Sequence, residues 1–150
     1  MREKILTLTI ILALSALQAI SSTENKNFEV YFENDKIKIE YKLVNCEYAD
    51  FFNQEFVIIQ VTNKLNKKIS VEWMEERWYD DNCNNCEQED DEYRKKTIID
   101  ANETVLGECN FHSNLKIFSK FTDKLKDMPG VKKITTLTKF ELKNITIKDE

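Results

Sequence analysis

The sequence predicts an all-β fold, an antiparallel β-sandwich of about seven or eight strands. Three observations carry that prediction. Apolar residues alternate with polar ones through most of the chain, which is the period of a half-buried strand. Turn-forming residues interrupt the alternation every dozen residues or so. The first 22 residues are of another kind, and the remainder has the size of one domain with one core.

Residues 1–22 read as a secretory signal peptide. Arg2 and Lys4 form a basic start, Ile5 to Leu17 an apolar block, and Ala19-Ile20-Ser21-Ser22 a small-residue end. Cleavage is expected after Ala19. The apolar block is shorter than the roughly 20 residues that span a bilayer, and no basic stop-transfer cluster follows it. Export gives a secreted or periplasmic protein, with residues 23–150 as a single domain and no membrane attachment after cleavage.

The strands follow in order. Phe28, Val30 and Phe32 alternate with polar neighbours, Asn34-Asp35 signals a turn, and Ile37, Ile39, Tyr41 and Leu43 resume the alternation, so the two stretches predict a hairpin. Phe56 to Val61 is nearly all apolar, which predicts a central strand covered on both faces. Asn63 to Lys68 is a turn, and Ile69, Val71 and Trp73 start a strand that runs toward Trp78. An acidic loop covers 80–92. Thr97 to Ile99 and Thr104 to Leu106 are short strands around the turn at 100–103. Leu115, Ile117 and Phe121 share one parity with Ser119. A helical turn fits between Phe121 and Met128, and Pro129-Gly130 marks a tight turn. The last strand covers 134–147, with a change of parity that predicts a bulge near Lys143-Asn144.

Three of these stretches carry a resemblance: FVIIQVTN over Phe56 to Asn63, ISVEW over Ile69 to Trp73, and Asp100-Ala101-Asn102-Glu103-Thr104 before a strand. In them the chain resembles a loosely defined group of uncharacterised small exported bacterial proteins with an immunoglobulin-like β-sandwich behind a signal helix. The resemblance implies that fold and no activity. An antibody-type domain has a tyrosine two residues before its second cysteine. Before Cys109 that place is Gly107, and the usual tryptophan spacing is not met. Cys46 and Cys109 stand at a separation that suits an inter-sheet bridge.

Composition narrows the function classes. Loss of residues 1–19 leaves 20 basic and 26 acidic side chains, moving the net charge from −5 to −6. Such a chain has no electrostatic footprint for nucleic acid or anionic lipid. One histidine and two glycines leave no catalytic triad, nucleophile elbow or phosphate-binding loop. The expectation is a non-enzymatic structural or protein-binding module without cofactor, whose partner and oligomeric state the sequence does not name.

Four cysteines in an exported chain predict two disulfides among Cys46, Cys83, Cys86 and Cys109, and three pairings are open. Carboxylates flank Cys83-Asn84-Asn85-Cys86 and no amphipathic helix follows, so a staple is expected there ahead of a redox-active pair. The alternative function is metal binding. Cys83, Cys86, Cys109 and His112 have the spacing of a Cys₃His zinc site. Asp80, Asn82, Asn84 and Asp91 fall on a calcium-loop register beside the acidic run from Glu87 to Glu92. Trp78 and Tyr79 adjoin that loop as a candidate binding surface. Asn102-Glu103-Thr104 and Asn144-Ile145-Thr146 match the glycosylation acceptor pattern.

Overall fold

A computed structural model describes residues 27–49, 52–86, 90–123, 125 and 128–150. The signal peptide expected over 1–22 lies outside the described residues. Among the described residues there are nine strands: β1 Glu29–Glu33, β2 Ile37–Cys46, β3 Gln54–Asn63, β4 Ile69–Tyr79, β5 Asn82–Cys83, β6 Arg94–Ile99, β7 Thr104–Leu106, β8 Lys116–Phe121 and β9 Leu137–Asp149. The addition to the seven or eight expected is β5, two residues within the stretch read as an acidic loop.

The strands form two antiparallel sheets that pack face to face. One runs β1-β2-β3, and β7 and β8 share the far edge of β3. The other has β4 at its centre, with β9 along one edge and β6 and β5 along the other. In the immunoglobulin order the third strand lies in the sheet opposite the first two. Here β1, β2 and β3 are successive neighbours in one sheet.

Alternation places one apolar row of each strand between the sheets. Ile37 and Ile39 of β2, Val57, Ile59 and Val61 of β3, and Ile69, Val71 and Trp73 of β4 form the core with Ile99, Leu115, Ile117 and Leu142. β3 is buried on both faces as expected, because Phe56 and Ile58 are covered as well. The β1–β2 turn is held by Asn34, whose Oδ1 accepts from Lys36 N (2.9 Å) and Ile37 N (2.8 Å). The Tyr31 hydroxyl of β1 reaches across to β9 and accepts from Leu142 N at 2.7 Å. One side of the sandwich is thereby closed by a side chain that satisfies an edge amide.

The ladders shift register at four places, and three of them alter the parity read from the sequence. In β1, Val30 pairs with Glu40 but Phe32 with Ile39, so Tyr31 is an extra residue that packs on the core and Val30 is exposed. In β9, Glu72 pairs with Thr146 but Met74 with Lys143, so Trp73 faces two residues. This is the predicted bulge, with Asn144 at φ 55°. In β8, Glu55 pairs with Lys120 but Phe56 with Phe118, which leaves Ser119 as an extra residue. That bulge corrects the sequence reading of Phe121. Its ring leaves the parity of Ile117 and meets Phe118 on the outer face. The turn at 129–130 is present, with Gly130 at φ 89°. The helical turn expected before it falls partly outside the described residues.

Candidate functional site

β7 and β8 lie along one strand, β3, as two pieces of a single interrupted edge. At the break, Gly107 N donates to Ile59 O and Ile59 N donates to Leu115 O, both at 2.9 Å. The residues between leave the sheet as a loop and return beside their point of departure. Cys109 in that loop is bonded to Cys46 at the end of β2, so the loop crosses the outer face of β3. Beneath it Cys46, Phe56 and Ile58 are buried, with Val44, Tyr48, Cys109 and Phe118 packed against them.

This second cluster continues as a strip of aromatic rings. Phe52 meets Phe121 edge-on (centroids 6.2 Å), Phe121 meets Phe118 (5.1 Å), and Phe118 meets Phe56 (5.8 Å). The Lys116 ammonium sits 4.5 Å over Phe56 and 5.8 Å over Phe111, and Phe111 stacks on Tyr48 at 5.1 Å. Lys116 also donates to Asn110 O at 2.6 Å, which ties the loop tip to the sheet. Burial pulls its ammonium below the ordinary lysine value. The two ends of the strip are open to water, Phe52 at 44% and Phe111 at 65%.

The outer face of the other sheet is different in kind. Glu72 pairs with Lys96 and Lys148, Glu76 with Lys143, and Glu141 with Lys139 and Lys143. Those two lysines hold the Glu141 carboxyl at about 2. Its contribution to stability is present above the ordinary carboxylate value and is lost as pH falls from there toward about 2.

Trp78 and Tyr79 separate across the strand. Tyr79 points between the sheets and donates its hydroxyl to Phe118 O at 2.8 Å. Trp78 faces outward, half-buried under the Lys139 ammonium at 4.3 Å. Neither lies on the aromatic strip, although the Tyr79 ring approaches Phe118 from within.

Cys83 and Cys86 are bonded to each other, and free cysteines are absent. The disulfides take up the thiols that the four-ligand zinc reading requires. Cys109 and His112 lie on the loop over one sheet, while Cys83 and Cys86 lie at the edge of the other. The calcium register is divided as well. Asp80 and Asp81 form the two-residue hairpin turn between β4 and β5, at φ 49° and 66°. Asp80 accepts from Thr136 N (3.2 Å) and pairs with Lys133 (2.8 Å), which holds its carboxyl below the ordinary value. Asn82 Nδ2 donates to Asp80 O, and Asp91 opens a single 3-10 turn and pairs with Arg94. Glu87 and Glu89 lie outside the described residues. Among the described residues no group of three or more His, Cys, Asp or Glu side chains is placed to hold a metal ion.

The Asp80-Asp81 turn offers a test of its local chemistry. A two-residue hairpin needs positive φ at both central positions, where glycine is cheaper than aspartate. Asp81→Gly is expected to raise stability by about 0.5 kcal/mol in urea unfolding. A loss of stability would show that the Asp81 side chain has a role of its own.

Asn85, between the two cysteines, has a role the sequence did not disclose. β6 pairs with β4 as far as Met74, and β5 begins at Trp78. In the gap, Asn85 Oδ1 accepts from Arg77 N (2.8 Å), Asn85 Nδ2 donates to Glu75 O (2.6 Å), and Asn84 N donates to Arg77 O (2.8 Å). A buried side-chain amide thus stands in for missing strand.

Below it Glu75 points inward and is buried, bonded through Oε1 to the Arg77 guanidinium. Its Oε2 has no hydrogen-bond partner among the described residues. Burial raises the Glu75 carboxyl above the ordinary value of 4.5, against the pull of Arg77 and Lys95. The folded state therefore holds this proton more tightly than the unfolded chain. That stabilisation is present below the ordinary value and is lost as pH rises through the raised one. Glu75→Gln is expected to flatten this decline in urea unfolding measured from pH 5 to 8. An unchanged slope in the variant would assign the dependence to another group.

Comparison with protein-family models, curated proteins and solved structures finds no match.

Proposed function

We propose that this chain is an exported, non-enzymatic module that binds a protein partner through the aromatic strip on the outer face of its five-stranded sheet. The observation that carries the reading is the run of ring contacts from Phe52 to Phe56, joined through the Lys116 ammonium to the Phe111–Tyr48 stack, with Phe52 and Phe111 exposed. Aromatic side chains are enriched at interface hot spots, where they bring large area at low entropy cost. The opposite outer face is laced with ion pairs and suits contact with water. Export rests on residues 1–22, and two disulfides accord with an oxidising compartment, secreted or periplasmic. Among the described residues no helix is long and apolar enough to cross a membrane. The sandwich is kept in this reading, and its immunoglobulin-like layout only as a likeness of two packed sheets.

The test uses three variants of the mature protein. Phe111→Ser and Phe52→Ser are expected to change stability by less than about 1 kcal/mol, because both rings lie at the exposed ends of the strip and outside the core. They are expected to lose a partner that the wild type retains when crosslinked in native medium or envelope. Lys148→Ser, on the ion-paired face, is expected to retain it. Loss confined to Lys148→Ser, or reproducible turnover of a small substrate by pure protein, would overturn the proposal.

A further inference from the structure

The two disulfides differ in span and in what they hold. Cys46 is 1% exposed and Cys109 half-buried, and their bond spans 63 residues across the outer face of β3. Cys83 and Cys86 are three residues apart, both half-buried, at an edge of the other sheet. Between them sits the Asn84-Asn85 insert that satisfies Glu75 O, Arg77 N and Arg77 O. The short loop therefore covers a defined stretch of β4 edge, while the long bridge holds a different part of the domain.

The surroundings also give the short bond a direction of cleavage. Cys86 N donates to Cys83 Sγ at 2.9 Å, and an amide hydrogen bond to sulfur favours thiolate there. The Glu76 carboxylate stands 3.9 Å from Cys86 Sγ and disfavours thiolate at that position. The better leaving group is then Cys83, since a thiol of lower pKa departs faster.

We propose that Cys83–Cys86 is a redox latch, which a dithiol reductant opens ahead of Cys46–Cys109 to release the Asn84-Asn85 insert from the edge of β4. One reductant thiolate attacks Cys86 Sγ. A mixed disulfide forms, the Cys83–Cys86 bond breaks, and Cys83 leaves as thiolate held by Cys86 N–H. The second reductant thiol then attacks the mixed disulfide and closes on the first. Cys83 and Cys86 end as thiols, and the reductant is oxidised by two electrons to its cyclic disulfide. The freed groups are the backbone donors and acceptors to which an extended strand attaches.

The experiment titrates the mature protein with dithiothreitol, traps free thiols by alkylation and locates them by peptide mass. Amide exchange is followed on the same samples. Cys83 and Cys86 are expected to be alkylated at a dithiothreitol concentration that leaves Cys46 and Cys109 bonded. At that point the Arg77 amide is expected to exchange roughly tenfold faster, while the Val71 amide in the core of the same strand is unchanged. Asn85→Ala, fully oxidised, is expected to show the same fast Arg77 exchange, which separates release of the insert from general loosening. Simultaneous opening of both bridges, or Arg77 protection that survives reduction, would overturn the proposal.

Discussion

Gly107→Ala is expected to cost about 3 kcal/mol or more of folding stability, among the largest effects of any single substitution in this chain. A β-carbon at Gly107 would lie 2.0 Å from the Leu115 carbonyl oxygen and 2.9 Å from its carbon. Those are backbone atoms, and the oxygen is fixed because it accepts from Ile59 N. Ile59 O is engaged in turn by Gly107 N, so neither side of the neck can yield without breaking a ladder bond. Relief requires the strand to part by about 1 Å, in a close-packed interior that forfeits contacts for much less. Gly130→Ala is the control. It has open space around it and positive φ, so only conformational strain of about 1 kcal/mol is expected. Urea midpoints of the two variants check the ranking. A Gly107→Ala midpoint within error of wild type would mean that the neck opens without cost to admit a methyl group.

The second large effect belongs to the long disulfide. Closing a loop of 63 residues restricts the unfolded chain by about 4 kcal/mol in the chain-entropy account, whereas a loop of three residues gives less than about 2 kcal/mol. Cys46→Ala with Cys109→Ala also lets the loop lift from Phe56 and Ile58, so the loss on the folded side adds to that term. The pair Cys83→Ala with Cys86→Ala removes only a local constraint. The first double variant is expected to lose at least about 2 kcal/mol more than the second in denaturant unfolding. Equal losses, or the reverse order, would show that the Asn85 insert matters more to the fold than the cover over β3 does.

Much of this architecture was legible because strand periodicity reports burial directly. The turn at Asn34, the doubly buried Phe56–Ile59 segment and the bulge at Asn144 were readable in this way, whereas Val30 and Leu43, apolar positions of the predicted hairpin, are exposed. Parity also reaches its limit in β8. One extra residue at Ser119 turns Phe121 to the other face, and nothing in the local sequence marks that residue as extra. The strand order was not legible, since alternation says which face a residue takes and not which neighbour its strand finds. The aromatic strip was half legible. A strand apolar on both faces demands a second cover, and that points to Phe56 and Ile58. The pairing of Cys46 with Cys109 that supplies the cover is a contact across 63 residues, beyond any local pattern. The role of Asn85 was not legible at all, because its partners are main-chain atoms, which carry no sequence signal.

The broken edge formed by β7 and β8 has a consequence for how this surface can change. Both halves of the break are registered to one residue, Ile59, so the sheet does not sense how many residues lie beyond the neck. Doubling such a loop costs only about 0.6 kcal/mol in closure entropy. The frame is set at Gly107, Leu115 and the Cys46–Cys109 bridge, while the tip adds only the outer contacts of Asn110, Phe111 and Asn114. The fold thus keeps its frame and its tip as separate variables, and new contacts can be tried at the tip without renegotiating the core.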